Sequence, residues 1–584
     1  MLKIENIKLP PGTSQAALAA EAARILKVRE KDLRHLQVLR RSVDAREGVF
    51  MVYTVEVSLP EEAAVLRHTP NRKVSLCPPR PDYHPPAPQK APQLPPVVVG
   101  AGPAGLFAAL VLALAGLRPI LLERGRSAER RREDVERFWS SGVLDLSSNV
   151  QFGEGGAGAF SDGKLNTGTR DIRHRFILEQ LVSCGAPEEI LIDAKPHVGT
   201  DFLHVVLQNL RQELLELGAD IRFESRLVDV DLRNGGLAGI RVEGPGGAYF
   251  LPCRHLILSP GHSARDTFEM LHYRGVPMEA KPFAVGVRIE HRQADCDAAQ
   301  YRQYAGHPGL PASTYKLSCH LPNGRSAFSF CVCPGGEVVA AASEAGGVVT
   351  NGMSEFARNR ENINGALLVN VTPEDFGDGP LSGIAFQRRL EEAAYAAGGG
   401  GYLAPAQRVE DFLQKRSSIG PGRVIPSYRP GVTWGNLWSC LPPFVAQALA
   451  EALPILGQKL RGYDAPDAVL TAVESRSSSP VRILRGEGCQ SSIRGLYPCG
   501  GGSRLRRRHP LRRRRRNALR GAAMRCAGHP NQEPILTYQQ GGLILNEPQS
   551  LHLSGLSHKR PQSTHSNGRG VGRLYTPLFH HGPT

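Results

Sequence analysis

Val97-Val98-Val99 runs directly into Gly100-Ala101-Gly102-Pro103-Ala104-Gly105, and an apolar stretch follows from Leu106 to Gly116. A Gly-x-Gly-x-x-Gly turn between a buried strand and a helix constrains the fold more than any other feature of the chain. Its first glycine permits the tight turn, its second lets backbone approach a pyrophosphate, and its third lets helix pack on strand. The phosphates then lie among the unpaired N–H groups of the helix N-terminus. Arg118-Pro119-Ile120-Leu121-Leu122-Glu123 reads as the next parallel strand, and Glu123 stands 18 residues beyond Gly105. An acid at that spacing holds ribose hydroxyls. The segment is therefore expected to bind a dinucleotide through Gly100, Gly102, Gly105 and Glu123.

No charged residue occurs between Lys90 and Arg118, a length that would also span a bilayer. Three glycines and four prolines crowd the first half of this stretch, and a buried strand plus a packed helix accounts for its apolar residues. The start, Met1-Leu2-Lys3-Ile4-Glu5-Asn6, lacks the apolar core of a signal peptide. A cytoplasmic protein without a membrane partner is expected, with its eleven cysteines mostly reduced. The closest pair, Cys331-Val332-Cys333, could serve in redox chemistry or metal binding. Burial as structural thiols is the preferred reading, because no matching ligand cluster accompanies them.

The net charge of +16 is uneven. Residues 501–584 carry 15 Lys/Arg against 2 Asp/Glu, which leaves the first 500 residues at +3. A basic character thus belongs to the tail alone.

Along the chain, strand-like runs Leu2–Ile7 and Val49–Val57 flank a helical stretch from Ser14 to Leu26, which marks a small α+β domain over 1–77. The proline-rich segment 78–96 is a semi-rigid linker. The nucleotide domain begins at Val97 and continues to residue 281. Within it, Ser148 to Gly168 sets Gly153, Gly155, Gly156 and Gly158 beside Asp162, Lys164 and Asn166, as in backbone wrapped around a flat ligand. A helix over Thr200–Gly218, a strand over Ile221–Val230, a hairpin-like stretch and the strand His255–Ser259 then lead into Pro260-Gly261-His262-Ser263. The order is that of a doubly wound α/β (Rossmann-like) domain, with its ligand at the carboxyl ends of the strands. Residues 282–465 read as an inserted α+β substrate-side domain. Residues 466–500 return to the first domain, and Ile493–Gly500 is a last strand running into glycine.

On these segments the chain resembles the bacterial NAD(P)/FAD-dependent oxidoreductases often labelled FAD-dependent protein or dehydrogenase. The similarity covers about residues 1–500. It is carried by Val150-Gln151-Phe152-Gly153-Glu154-Gly155-Gly156-Ala157-Gly158, Ser161-Asp162-Gly163-Lys164-Leu165, Gly261-His262-Ser263-Ala264-Arg265-Asp266-Thr267, Lys281 to His291, and Pro426-Ser427-Tyr428-Arg429-Pro430-Gly431. The resemblance implies FAD held by Gly100, Gly102, Gly105, Glu123, Arg124, Gly155, Gly156, Lys164, Gly261 and Gly500, with Val228 meeting the adenine through its backbone. Lys164, His262 and Arg288 are the candidates for catalysis, and Arg288, His291 or Arg429 for holding an anionic substrate. A flavin-dependent redox enzyme acting on a small organic molecule is expected. No second glycine fingerprint provides a nicotinamide domain, so NAD(P)H would serve as a transient electron donor. A flavin-binding protein without turnover is the alternative, and a nucleic-acid binder acting through the arginine-rich tail is a weaker one.

The resemblance stops at Gly500. Relatives continue with Glu-Gly-Ala-Gly-Tyr-Ala-Gly-Gly-Ile, whereas this chain reads Gly501-Gly502-Ser503-Arg504-Leu505-Arg506-Arg507-Arg508 and carries five further arginines at 512–516. Arginine CGN codons read one nucleotide out of phase begin with G and encode Gly, Ala, Val, Asp or Glu. The tail 501–584 is accordingly read as a disordered segment produced by a frameshift near residue 501. The codons of this segment should spell the Gly/Ala-rich sequence in a shifted frame, and sequencing the gene checks this.

Overall fold

The computed structural model describes residues 1–69, 72–79, 81–165, 171–486, 488–500, 503–505, 536–539 and 542–545. Asn166 and nearly all of the arginine-rich tail lie outside the described residues.

The N-terminal domain comprises β1 (Leu2–Leu9), α1 (Gln15–Leu26), β2 (His35–Asp44), β3 (Phe50–Ser58), α2 (Glu62–His68) and β4 (Val74–Leu76). Ser14 caps α1, its hydroxyl accepting from Ala17 N at 3.2 Å. The strands form an antiparallel sheet in the order β2-β3-β1-β4, with its own core of Leu2, Ile4, Ile7, Leu18, Val55 and Val57. The described residues between 77 and 96 hold neither helix nor strand, as their prolines require.

The nucleotide domain follows with β5 (Val97–Val99), α3 (Pro103–Leu114), β6 (Ile120–Leu122), α4 (Ala128–Ser141), α5 (Ile172–Ser183), α6 (Thr200–Glu216), β7 (Asp220–Arg222), β8 (Arg226–Arg233), β9 (Gly236–Gly244), β10 (Gly247–Pro252), β11 (Leu256–Leu258) and α7 (Arg265–Tyr273). Here the sequence expectation of one strand over Ile221–Val230 is corrected. Glu224 adopts a left-handed φ of 51° and breaks the run, so β7 joins the parallel sheet while β8 opens the meander β10-β9-β8.

After β12 (Met278–Ala280), whose partner is a strand of the returning chain, the inserted domain contains β13 (Phe283–Arg292), α8 (Gln293–Tyr301), β14 (Ser318–His320), β15 (Ser326–Cys333), β16 (Glu337–Ala340), β17 (Thr350–Met353), β18 (Asn362–Val371), α9 (Pro373–Phe376), α10 (Ser382–Ala397), β19 (Ala404–Arg408), α11 (Val409–Leu413), β20 (Val432–Trp434), α12 (Pro443–Lys459) and β21 (Val469–Glu474). Its seven-stranded sheet runs β14-β15-β18-β13-β21-β19-β20. The boundary expected at residue 465 therefore falls too early, because β21 pairs with β13 and β19 in the centre of this sheet. The chain then returns with β22 (Val481–Arg485) and β23 (Leu496–Pro498). β23 completes a five-stranded all-parallel sheet, β23-β11-β5-β6-β7.

Within the region expected to be disordered, Ser503–Leu505 forms β24, which pairs parallel to the edge of β22, and a hairpin joins β25 (Leu536–Gln539) to β26 (Gly542–Leu545). An unpaired strand edge offers backbone groups to any passing chain, so β22 can recruit this segment whatever its side chains.

One hydrophobic core runs from Val98 and Leu121 under the nucleotide sheet to Val287, Leu367 and Leu470 of the inserted sheet. The two domains are also joined by a buried ionic cluster. The Glu391 carboxylate accepts from Arg265 at 2.8 and 3.0 Å, from Arg476 at 2.8 and 3.0 Å, and from the Ser475 hydroxyl at 2.6 Å. Burial alone would raise the Glu391 carboxyl, but Arg476 and Arg265 overcome it and hold the group at about 2. A carboxyl depressed on folding contributes stability above its ordinary value near 4.5, and this contribution is lost as pH falls towards 2. Glu391→Gln takes the paired carboxylate from the buried Arg476 and leaves Arg265 with Glu344 alone. It should cost about 3–5 kcal/mol in urea unfolding at neutral pH, and the difference from wild type should shrink between pH 4.5 and 2.

Candidate functional site

The fingerprint turn has the geometry that its glycines imply. Gly100 sits at φ 95°, and a Cβ there would lie 2.2 Å from the Ser259 carbonyl oxygen; a Cβ on Gly105 would lie 1.8 Å from the Gly100 oxygen. Gly102 is the N-cap of α3 and no side chain caps the helix, so the first-turn N–H groups are left for a ligand. A Cβ on Gly102 would have its nearest neighbour 3.9 Å away, which leaves backbone open to close approach from the cleft.

Glu123, at the end of β6, ties this turn to the glycine-rich loop. Its Oε2 accepts from Ala101 N at 2.7 Å, and its Oε1 accepts from Gly125 N at 2.9 Å and Gly153 N at 3.0 Å. A carboxylate has about four lone-pair sites, so one on Oε2 is left for a ribose hydroxyl. Arg131, fully buried on α4, holds the loop from beneath through the carbonyls of Asn149 (2.8 Å), Val150 (2.9 Å) and Glu154 (2.6 Å). Gly155 N then donates to Ala101 O at 2.7 Å, which seats the loop against the fingerprint.

A cleft crosses the carboxyl ends of β6, β5, β11 and β23, touching Glu123, Gly100, Ser259 and Gly500 in turn. Three inter-strand steps of roughly 4.8 Å give it a span of about 14 Å. On the β6 side stand Arg124, Ser225 and Leu227. The Arg124 guanidinium lies 4.2 Å over the Phe152 ring and pairs with Asp266 at 2.8 Å. On the β11 side stand Gly261, His262, Lys281, Ser478, Ser479 and Arg482. The Ser259 hydroxyl and the Arg482 Nε are buried at this cleft with no hydrogen-bond partner among the described residues. Orphaned donors, an open helix N-terminus and a spare carboxylate acceptor are what a dinucleotide requires, and the residues fit FAD.

Of the residues expected from sequence, Gly100, Gly102, Glu123, Arg124, Gly156, Gly261, His262 and Gly500 line the cleft. Gly105 lies beneath the turn, and a Cβ on Gly155 would meet Leu207 and Ala159, so both shape the wall from behind. Val228 sits at a bulge between Leu227 and Asp229, outside the paired ladder of the edge strand β8. Lys164 lies away from the cleft, paired with Asp162 at 2.8 Å. Arg288 is also elsewhere, and all five of its N–H donors are used on Glu474, Cys331 O, Asn351 and Asn364. His291 bonds the Tyr463 carbonyl at 2.8 Å, and Arg429 stands over the Trp139 ring at 4.8 Å. The sequence reading missed Ser259, Ser478, Ser479 and Arg482 as cleft residues. Ser259 was findable as the residue that closes β11, but the other three reach the cleft only through the long-range return of the chain.

Three family models match the chain: an FAD binding domain over residues 96–162, a FAD-dependent protein C-terminal domain-like model over 282–477, and a domain of unknown function over 1–58. An uncharacterised protein of Clostridium beijerinckii is 44% identical over 507 residues, covering 86% of this chain and 94% of that protein. Among solved structures, aklavinone-11 hydroxylase in complex with FAD and aklavinone is 14% identical, with 71% of this chain and 58% of that chain covered, at a TM-score of 0.31. E. coli quinol fumarate reductase is 13% identical, with 71% and 66% covered, at a TM-score of 0.32. The chain spans less than two thirds of either structure. TM-scores this low do not establish a common architecture.

Gly100→Ala forces a methyl group into the Ser259 carbonyl, and the purified variant should carry almost no FAD by visible absorbance. Glu123→Gln removes a charged acceptor that contributes about 1.5–3 kcal/mol, so its Kd for FAD by fluorescence titration should rise at least about tenfold. From the fingerprint and its acid, through the glycine-rich loop, to the match with a relative along most of its length, this chain belongs to the family of FAD-dependent proteins and binds FAD.

Proposed function

We propose that the chain is an oxidoreductase that passes hydride or electrons between a small organic substrate and FAD, with NAD(P)H as a transient electron donor. The observation that carries this reading is the continuity of the dinucleotide cleft with side chains that flank the inserted domain, Lys281, Ser478, Ser479 and Arg482, beside His262. A protein that only stored the cofactor would have no need of a polar, titratable wall there. Bound FAD supplies two-electron chemistry that side chains lack.

The remaining work falls to the protein. Burial, reinforced by the positive charges of Arg476, Lys281 and Arg265, pushes the His262 imidazole down to about 3. Its ring is therefore neutral at physiological pH, with one nitrogen to accept a proton and the other to donate one. The Ser259 hydroxyl and the Arg482 Nε–H are buried donors beside the cleft with no hydrogen-bond partner among the described residues. Arg124 borders the β6 side, held by Phe152 and Asp266. Among the described residues there is one five-stranded parallel sheet with one fingerprint turn, so a nicotinamide donor has no second nucleotide domain and must dock over the same cleft.

Anaerobic mixing of the FAD-loaded full-length chain with NADH or NADPH should bleach the oxidised flavin absorbance. The rate should show no titration near pH 6.5, because His262 is already neutral there. Flavin that stays oxidised with both donors and with a panel of small organic reductants would favour a binding protein without turnover.

A further inference from the structure

Cys331 and Cys333 lie outside the flavin cleft, in a buried setting unlike that of the other cysteines. β15 carries a bulge between Phe330, opposite Ala366, and Cys333, opposite Asn364, and Cys331 within it adopts a left-handed φ of 43°. The bulge breaks the alternation of the strand and brings the Cys333 side chain against the Cys331 backbone. Cys333 Sγ donates to Cys331 O at 3.4 Å.

Charged groups surround the pair. Lys164 Nζ stands 4.0 Å from Cys333 Sγ and 2.8 Å from Asp162, which also receives Arg358. Arg288 reaches the Cys331 carbonyl at 2.8 Å and is paired with Glu474 at 2.8 Å. Three cations, Lys164, Arg358 and Arg288, thus face the pair, with Asp162 and Glu474 in direct contact with them and the buried Glu290 within electrostatic reach of Arg288. His197, which bonds the Phe356 carbonyl at 3.1 Å, is kept neutral by burial and Arg358, and burial likewise keeps the Tyr315 hydroxyl protonated. A cation held this close to a thiol favours the thiolate over the neutral form. The neighbouring Cys333 thiol lowers the Cys331 thiol against the opposing effect of burial, and Lys164 and Arg288 add to that lowering. Lys164 and Arg358 are 18% and 12% exposed and Cys331 is 9% exposed, so a small neutral oxidant has a short way in. A metal site is not the better reading, since no group of three His, Cys, Asp or Glu among the described residues could hold one.

We propose that Cys331 and Cys333 form a redox-active dithiol that reacts with hydrogen peroxide and closes to an internal disulfide. The Cys331 thiolate attacks one peroxide oxygen. The S–O bond forms as the O–O bond breaks, and the departing hydroxide takes up a proton to give water. Cys333 sulfur then attacks the Cys331 sulfur. The S–S bond forms as the S–O bond breaks, and the second oxygen leaves as water with the Cys333 proton. Two thiols lose two electrons and one peroxide becomes two waters. The site is independent of the flavin cleft, so its reactivity does not depend on the identity of the flavin substrate.

Trypsin releases both residues in one peptide, Ser326–Arg358, which holds no other cysteine. The FAD-loaded full-length chain is treated with equimolar hydrogen peroxide under native conditions, then unfolded, alkylated with iodoacetamide and digested. The expected peptide is two hydrogens lighter and unalkylated, while the buried Cys296 and Cys440 remain fully alkylatable. In Cys333→Ser the reaction should stop at a Cys331 sulfenic acid that dimedone traps, and Lys164→Met should slow oxidation about tenfold through a lower thiolate fraction. The proposal is overturned if the native peptide keeps both alkylation sites, if Cys296 and Cys440 oxidise equally fast, or if Lys164→Met in a folded chain reacts at the wild-type rate. The comparison with Cys296 and Cys440 within the wild-type chain stands even if the lysine variant does not fold.

Discussion

The Glu123 carboxylate is the interaction on which the rest of the cofactor site depends. Three backbone N–H groups from three separate pieces of chain converge on it: Ala101 of the fingerprint turn, Gly125 after β6 and Gly153 of the glycine-rich loop. Each would otherwise be a buried donor seeking water in a place where a ligand excludes it. The acid therefore assembles the walls of the cleft, and only glycine at 125 and 153 lets the backbones come close enough. A Cβ on Gly125 would lie 2.6 Å from Gly153, and a Cβ on Gly153 would lie 2.3 Å from the Arg131 side chain.

Much of this architecture was legible in the residues. The turn 100–105, the strand before it, the helix after it and the acid at 123 carry their geometry in local spacing, because strand, turn and helix are contiguous and each glycine has a steric reason. Lys164 and Arg288 were not legible in the same way. A lysine beside a glycine-rich loop and an arginine in an apolar strand look like cofactor or substrate ligands, yet their partners Asp162 and Glu474 neutralise them elsewhere in the molecule. In the case of Arg288 the partner is nearly two hundred residues away, and nothing in the local pattern announces it. The break at Glu224 was hidden for a related reason, since one left-handed residue inside an apparently continuous β run leaves no periodicity signal.

The inserted domain is more than a spacer between two halves of the nucleotide fold. Its sheet shares one core with the nucleotide domain, and its Glu391 anchors Arg265 of α7, three residues beyond His262 in the cleft wall. A change that loosens Glu391 thus reaches the cleft through a rigid helix start.

The place of β23 bears on how the protein is made. Its partner β11 lies roughly 240 residues earlier, and the pairing of Leu256 with Leu496 closes the parallel sheet and brings Gly500 to the cleft. Contacts so distant in sequence form slowly because a long loop must first be closed. During synthesis the fingerprint, the acid and the glycine loop emerge early, but the wall at Gly500 arrives only after the whole inserted domain has left the ribosome. FAD thus meets a finished site only in a nearly complete chain, and a chain stopped anywhere within the insert holds half a cleft.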